Sequence, residues 1–252
     1  MSGSVASVTL SHPGKFNAMS RGMWRQLCTV FEAIHSSVAR CVVIQGQGEH
    51  FCAGGDISEY AAFRFEEASL REFHENDVWG GLQAMLDCDV PIMASIEGNC
   101  LGAGIEIASC CDLRLAASTA RFGAPIARLG FPMAPREAAL VTNALGALTA
   151  REMLLSAAVL DAAELKQRGF LNRVCLPSEL AGDVGQLAER ICSLAPAAAR
   201  QNKRTLRSNH ALVRAFNLPT AIDLIANAYG YADTAEHREG VTAFTDKRAP
   251  RF

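Results

Sequence analysis

The sequence lacks the surplus of basic residues that proteins binding nucleic acids or anionic membrane surfaces usually carry. Its 252 residues include 24 lysines and arginines against 26 aspartates and glutamates, which gives a formal net charge of -2. Without a basic excess, a chain is poorly suited to bind a polyanion along an extended face. We therefore expect no nucleic-acid partner and no membrane partner, while a few local cations could still hold a small anion.

Long apolar runs are also absent. A membrane-spanning helix needs roughly 20 consecutive apolar residues, and the longest apolar stretch, 90–117, is interrupted by Glu97, Glu106, Asp112 and Arg114. The N-terminal sequence MSGSVASVTL has no basic segment followed by an apolar one, which a secretory signal would require. The sequence therefore predicts neither a membrane span nor a secretion signal.

The nine cysteines form none of the motifs that bind metals. There is no C-x-x-C pair and no cluster of cysteine and histidine with zinc spacing. Most cysteines lie in apolar segments, where a free cysteine behaves as a small hydrophobic residue. An odd number of cysteines without a secretion signal is typical of a reducing compartment. We expect a cytoplasmic protein without a metal site.

Strand and helix patterns alternate through the first two thirds of the chain, which is typical of an α/β protein. Short segments rich in β-branched residues predict strands, and apolar residues at helical spacing predict helices. In chain order the predicted elements are the strand SVASVTL, a helix over 20–39, the strand CVVIQG, a helix over 66–86, the strand VPIMASIEG, a short helix from about Gly102 and the strand DLRLAA.

The pattern changes near residue 178, after which the sequence contains only helix-like segments. A helical tail on an α/β body could be a lid or an oligomerisation element, or it could simply complete the core. The sequence alone leaves these three alternatives open.

Two glycine-containing turns are the main candidates for a functional site. FCAGGDI, 51–57, closely follows a strand, and GNCLGAGIE, 98–106, joins a strand to a helix. Neither is a nucleotide-binding loop, because G-x-G-x-x-G and G-K-[ST] are both absent. Backbone N–H groups in such turns can bind a negative oxygen, and two that converge would form an oxyanion hole. Alternatively, FCAGGDI is an ordinary tight turn. Glu106 could likewise serve only to stabilise the N-terminus of its helix through the helix dipole.

Five ordered motifs resemble those of the crotonase (enoyl-CoA hydratase/isomerase) superfamily: LSHPGKFNAMS, FCAGGDI, IEGNCLGAGIEIASCCDLRLA, RFGAPIARLG and EGVTAFTDKRAPRF. The resemblance implies an α/β, crotonase-like (ClpP/crotonase) spiral of ββα units with a C-terminal α-helical trimerisation region. Residues 1–195 would then form the core carrying the acyl-CoA site, and 196–252 the helical oligomerisation region. The implied assembly is a homotrimer or a dimer of trimers.

The resemblance also implies the site residues. Backbone N–H groups of Ala53 and Ala103 would form the oxyanion hole, and Glu106 would be the acid/base. The residues expected to contact the acyl-CoA substrate are Lys15, Ala53, Gly55, Asp56, Ile57, Gly102 and Lys247. For the two lysines the alternative is an ordinary solvated surface charge. Coenzyme A enters as part of the thioester substrate, and no cofactor would be bound permanently.

The resemblance breaks at the second carboxylate. The family's F-G-x-P-E motif is here FGAPI, so Ile126 stands where a hydratase has its other glutamate. Glu137 is a candidate replacement, although an acidic residue just after Pro135 more often starts a helix. The segment 60–76 is expected to help shape the acyl end of the pocket. Within it, His74 is expected to face solvent from a helix, and contact with the acyl group is the alternative.

A single carboxylate limits the chemistry. Hydration removes and delivers protons at two defined places, which favours two carboxylates. Desolvation among apolar neighbours would raise the pKa of Glu106 towards neutrality. We therefore expect an acyl-CoA enzyme that stabilises a thioester enolate, with weak hydratase activity. An isomerase, a decarboxylase, a thioester hydrolase and a non-catalytic CoA-binding paralogue remain open alternatives.

Overall fold

The computed structural model describes residues 4–212 together with Ala235, Glu239, Asp246, Arg248 and Arg251. The strands within this part of the chain are β1 Val5–Leu10, β2 Cys41–Gly46, β3 Ile92–Ile96, β4 Asn99–Leu101, β5 Leu113–Ala117, β6 Arg121–Gly123, β7 Val159–Asp161 and β8 Arg173–Cys175. The α-helices there are α1 Arg21–His35, α2 Glu67–Glu72, α3 Trp79–Asp87, α4 Ala103–Ser109, α5 Pro135–Leu145, α6 Ala147–Ser156, α7 Ala162–Gln167, α8 Pro177–Cys192 and α9 Pro196–Leu212.

A five-stranded parallel sheet in the order β1-β2-β3-β5-β8 forms the centre of the fold. A smaller sheet in the order β4-β6-β7 stands beside it, with β4 and β6 parallel and β7 antiparallel to β6. The predicted alternation of strands and helices is therefore confirmed. No helix within the described residues is long and apolar enough to cross a bilayer.

Both faces of the large sheet are covered, which explains why β2 reads as an unbroken apolar run. On one face Trp24 and Phe31 of α1 belong to the main core together with Ile44 of β2. On the other face Leu180 of α8 belongs to a second cluster with Val43. The strands are thus fixed by packing on both sides, and their ends are held in place for the site.

The helix predicted over 66–86 contains an irregularity. The structure has α2, a π-helical segment at Phe73–Val78 and then α3. A π-helical turn carries an extra residue per turn and often occurs at functional sites. A pattern search with 3.6 residues per turn could not detect this segment. The other predicted helix, over 20–39, is shorter than expected, since it begins after the N-cap Ser20 and ends at His35.

The helix α9, where the predicted oligomerisation region begins, is attached to the core. The ammonium group of Lys203 donates to the backbone oxygen of Val90 at 2.9 Å and lies 2.8 Å from the carboxylate of Asp112. Lys203 is 9% exposed, so this contact is largely shielded from water. Most of 196–252 lies outside the described residues, including Lys247, and the domain boundary and trimerisation role stay predictions.

The two glycine-containing turns lie side by side. The N–H of Cys52 donates to the oxygen of Asn99 at 2.9 Å, and the N–H of Leu101 donates to the oxygen of Cys52, also at 2.9 Å. Gly104, at the start of α4, packs so closely that a Cβ there would lie 2.7 Å from the Cys52 oxygen. The two turns are therefore neighbours in the fold, and the convergence of their N–H groups stays a prediction.

We expect Gly104→Ala to destabilise the protein by roughly 1–3 kcal/mol, because the added methyl group overlaps a backbone oxygen that cannot rotate away. Gly185→Ala is the matched control. Gly185 also lies within a helix, but no atom would lie within 4 Å of its added Cβ. There the substitution should stabilise by about 0.5–1 kcal/mol, as alanine is the better helix former. Urea unfolding of both variants measures the difference, and equal effects would contradict this packing.

Candidate active site

A pocket of about 300 Å³ opens where the two turns meet. Its wall contains six of the residues that the sequence singled out: Ala53, Gly55, Ile57, Gly102, Ala103 and Glu106. The remaining wall comes chiefly from 57–64, from Phe73, His74 and Val78 of the helical layer, and from the segment 125–134. A concave site with few polar groups among apolar ones is the usual form of a small-molecule site.

The predicted oxyanion donors differ in availability. Gly102 has φ +49°, a conformation that glycine adopts readily, and it directs the chain into α4. Ala103 is then the first residue of α4, and its N–H has no acceptor within the described part of the chain. The N–H of Ala53, in contrast, donates to the carbonyl oxygen of Phe16 at 3.0 Å. The backbone N–H of Ala103 is therefore available to a ligand, whereas that of Ala53 already donates to Phe16.

Glu106 faces the pocket from the first turn of α4. Burial, reinforced by the negative charge of Glu137, raises the pKa of its carboxyl from 4.5 to about 8, and the positive charge of Arg64 opposes part of this rise. At pH 7 only about a tenth of such a group is ionised. Glu106 can therefore both accept and release a proton near neutral pH.

Ile126 lies in the pocket wall, within the 3₁₀ segment Pro125–Leu129. The position expected to hold a second acid/base therefore presents an aliphatic side chain to the site. No proton can be transferred from this part of the wall.

His74 does not face solvent, so this expectation was wrong. Its side chain is 20% exposed, it lines the pocket, and its Nδ1 lies 3.0 Å from Oε1 of Glu137. His74 lies in the π-helical segment Phe73–Val78, which the sequence did not predict. A carboxylate at Nδ1 fixes the ring orientation and leaves Nε2 without a protein partner among the described residues.

Glu137 starts a helix, as one of the two alternatives predicted. It lies in the first turn of α5, its side chain is 3% exposed, and it is not among the residues of the pocket wall. Its contact with the site passes through His74 and through its charge, which acts on Glu106.

Asp56 and Lys15 form a structural unit at the side of the pocket. One carboxylate oxygen of Asp56 accepts hydrogen bonds from the Lys15 ammonium at 3.1 Å and from the Ser58 hydroxyl at 2.7 Å. Burial alone would raise the pKa of Asp56, but the hydrogen bonds from Ser58 and Lys15 outweigh it and lower the pKa. Neither Asp56 nor Lys15 is part of the pocket wall. Lys15 remains 43% exposed and accessible from outside.

Arg64 also lines the pocket, although no sequence motif pointed to it. Its guanidinium carbon lies 4.2 Å from the ring centroid of Tyr60 and 3.7 Å from that of Phe131. The two rings are far apart in the sequence, and no local pattern connects them. The only available signal was the i, i+4 spacing of Tyr60 and Arg64.

No group of three histidine, cysteine, aspartate or glutamate side chains within the described residues could hold a metal ion. All nine cysteines are free thiols, six of them buried. Burial raises the pKa of Cys52, beside the site, to about 12, so this thiol is a poor nucleophile at neutral pH.

Comparison with known proteins decides the family. A family model described as enoyl-CoA hydratase/isomerase matches residues 1–252. The chain belongs to the enoyl-CoA hydratase/isomerase family. It is an enzyme family, and the crotonase superfamily membership implied by the five motifs is thereby confirmed.

Individual relatives cover almost the whole chain. The short-chain-enoyl-CoA hydratase of Clostridium acetobutylicum is 30% identical over 249 residues, which span 98% of this chain and 93% of that protein. The crotonyl-CoA hydratase of Syntrophomonas wolfei is 31% identical over 253 residues, or 98% and 94% of the two chains. The solved structure of an enoyl-CoA hydratase/carnithine racemase from Magnetospirillum magneticum superimposes with a TM-score of 0.92 at 32% identity, covering 100% and 93%. The predicted crotonase-like fold is confirmed.

Two substitutions should move the pKa of Glu106 in opposite directions. Glu137→Gln removes a negative charge that disfavours the carboxylate, so it should lower this pKa. Arg64→Gln removes a positive charge that favours the carboxylate, so it should raise it. NMR titration of ¹³C-labelled glutamate side chains measures both, with Glu106→Gln assigning the signal. Shifts in the same direction, or none, would contradict the charge arrangement.

Proposed function

We propose that the protein acts on acyl-CoA thioesters through an enolate, with Glu106 as its main acid/base. The observation that carries this proposal is the position of Glu106. The partly buried carboxyl of Glu106, with a pKa of about 8, stands in one pocket with the unpaired N–H of Ala103, which begins the same helix. A donor for a developing oxyanion and a proton carrier are the two groups that enolate chemistry needs.

The substrate class comes from the relatives. Proteins that match almost the whole chain are named short-chain-enoyl-CoA and crotonyl-CoA hydratases. A pocket of about 300 Å³ suits a small acyl group. We extend the acyl-CoA class to this chain. Lys15, with its exposed ammonium group, and Lys247 are our candidates for contacts with the phosphates of coenzyme A.

In this proposal the thioester carbonyl oxygen first accepts a hydrogen bond from the N–H of Ala103. The N–H of Ala53 completes the oxyanion hole once the Phe16 carbonyl releases it or shares it. Two donors aimed at the developing charge stabilise the enolate more than the ground-state carbonyl, which is what lowers the barrier. Binding of the thioester is therefore coupled to movement of the turn that contains Phe16.

Glu106 then transfers a proton to or from the acyl carbons. One such group can move a proton between two carbons, protonate an enolate formed by decarboxylation, or activate a water for hydrolysis. His74, oriented by Glu137, is a second titratable group in the pocket wall. It lies on a different element from Ile126, so it does not replace the second carboxylate with which a hydratase would hold the attacking water. Isomerisation and decarboxylation therefore fit the site better than hydration.

We expect Glu106→Gln to lower kcat on the best thioester substrate by about 100-fold or more, because glutamine retains the shape but cannot accept the proton. A panel of 3-enoyl, malonyl-type and 3-hydroxyacyl thioesters identifies that substrate. His74→Gln is the companion variant. If only His74→Gln loses activity, the proton passes through His74. If the Glu106 variant retains full activity, Glu106 is not catalytic.

The protein should hydrate crotonyl-CoA slowly, since Ile126 cannot transfer a proton. Ile126→Glu places a carboxylate at this point of the pocket wall and should raise hydration by about tenfold or more, at the low end of what a general acid/base supplies. Ile126→Gln is the control, as it adds a polar group of the same size that cannot take up a proton. Rapid hydration by the unmodified protein would contradict the proposal, as would equal gains in both variants.

A further inference from the structure

Arg64 is a cation whose charge the described residues do not neutralise. It forms no ion pair within this part of the chain, and its Nε is buried without a hydrogen-bond partner. Cation–π contacts with the rings of Tyr60 and Phe131, whose planes are inclined at 71° to each other, hold the guanidinium in place. A hydrogen bond with the Tyr60 side chain uses only part of its five N–H donors, and the buried Nε keeps no partner.

Two other arginines also carry a buried side-chain nitrogen without a hydrogen-bond partner, and they differ from Arg64 in position. Arg21 donates to a carboxylate oxygen of Asp77 at 2.6 Å, and Arg114 lies over a ring outside the pocket wall. Of the three, Arg64 alone lines the pocket. The Arg64 side chain is half-buried in the pocket wall, and a cation there without a counter-charge favours a ligand that supplies an anionic acceptor.

Arg64 lines the same pocket as Glu106, and its charge acts on the Glu106 carboxyl. In the proposed function, a group near Glu106 lies near the acyl chain. The Tyr60 ring beneath it reaches the oxyanion turn, since a Cβ on Gly55 would lie 2.2 Å from the tyrosine oxygen. Because Glu106 is mostly protonated at pH 7, it does not supply the counter-charge for Arg64.

We propose that Arg64 binds a carboxylate carried by the acyl chain, so that the substrates are coenzyme A thioesters of dicarboxylic acids. A planar guanidinium can donate two parallel hydrogen bonds to a carboxylate, and the contacts with two rings restrict its movement. This inference rests on the proposed function, since it requires an acyl-CoA in the pocket. It does not depend on the catalytic role of Glu106.

Binding of unreactive saturated thioesters tests this directly. Glutaryl-CoA and pentanoyl-CoA have the same chain length and differ by a carboxylate against a methyl group, and succinyl-CoA and butyryl-CoA form a shorter pair. By titration calorimetry, we expect the carboxylated member of at least one pair to bind about tenfold more tightly or better. Arg64→Gln should abolish this preference while binding of the methyl member changes less than about twofold.

Arg71→Gln is the matched control, because it removes the same charge from an exposed arginine on α2 that pairs with Glu67 and does not line the pocket. It should retain the preference. Retained binding of the methyl thioester shows that the Arg64 variant is folded. If neither pair shows a preference, this inference alone is overturned.

Binding of free coenzyme A shows whether Arg64 contacts a phosphate of coenzyme A rather than a carboxylate on the acyl chain. If Arg64→Gln weakens free coenzyme A and both members of a pair equally, Arg64 binds a phosphate and the inference is overturned. If no thioester binds to the unmodified protein, the proposed function fails and the inference fails with it.

Discussion

The site depends on the backbone pairing between the two glycine-containing turns. Cys52 exchanges hydrogen bonds with the chain on both sides of Cys100, donating to Asn99 and accepting from Leu101. This pairing places the turn that contains Ala53 beside the N-terminus of α4, which carries Ala103 and Glu106. Gly104 permits the close approach, because a side chain there would overlap the Cys52 oxygen. Large parts of the core serve to hold these two turns at the ends of β2 and β3.

The charged residues around the pocket set the protonation of Glu106. Burial and Glu137 keep the carboxyl of Glu106 largely protonated at neutral pH, while Arg64 limits the effect. Among the described residues, the pocket wall contains Ile126 and no carboxylate besides that of Glu106. It also contains the imidazole of His74, which Glu137 orients, and the guanidinium of Arg64 beside two aromatic rings. In the functions proposed above, Arg64 binds an anionic group of the substrate and Glu106 alone moves the proton.

Much of this arrangement could be predicted from the sequence, and the exceptions have physical causes. Motifs that depend on backbone conformation, such as the glycine turns and the helix start at Ala103, were visible because small residues in order mark them. Ile126 was visible because a known pattern breaks there. His74 was expected to face solvent because a histidine on a helix usually does, and its contact with Glu137, 63 residues away, forms only in the folded chain. Arg64 was missed because its partners Tyr60 and Phe131 meet only in the folded chain. The occupied N–H of Ala53 is likewise a tertiary contact.

Exchange of the protons on the thioester α-carbon tests enolate formation assisted by Glu106, whichever overall reaction the protein catalyses. A saturated acyl-CoA incubated with the protein in D₂O should incorporate deuterium at this carbon, as followed by mass spectrometry. We expect incorporation well above the rate in buffer, and a loss of about 100-fold or more in Glu106→Gln. Exchange no faster than in buffer, or equal exchange in the variant, would contradict it.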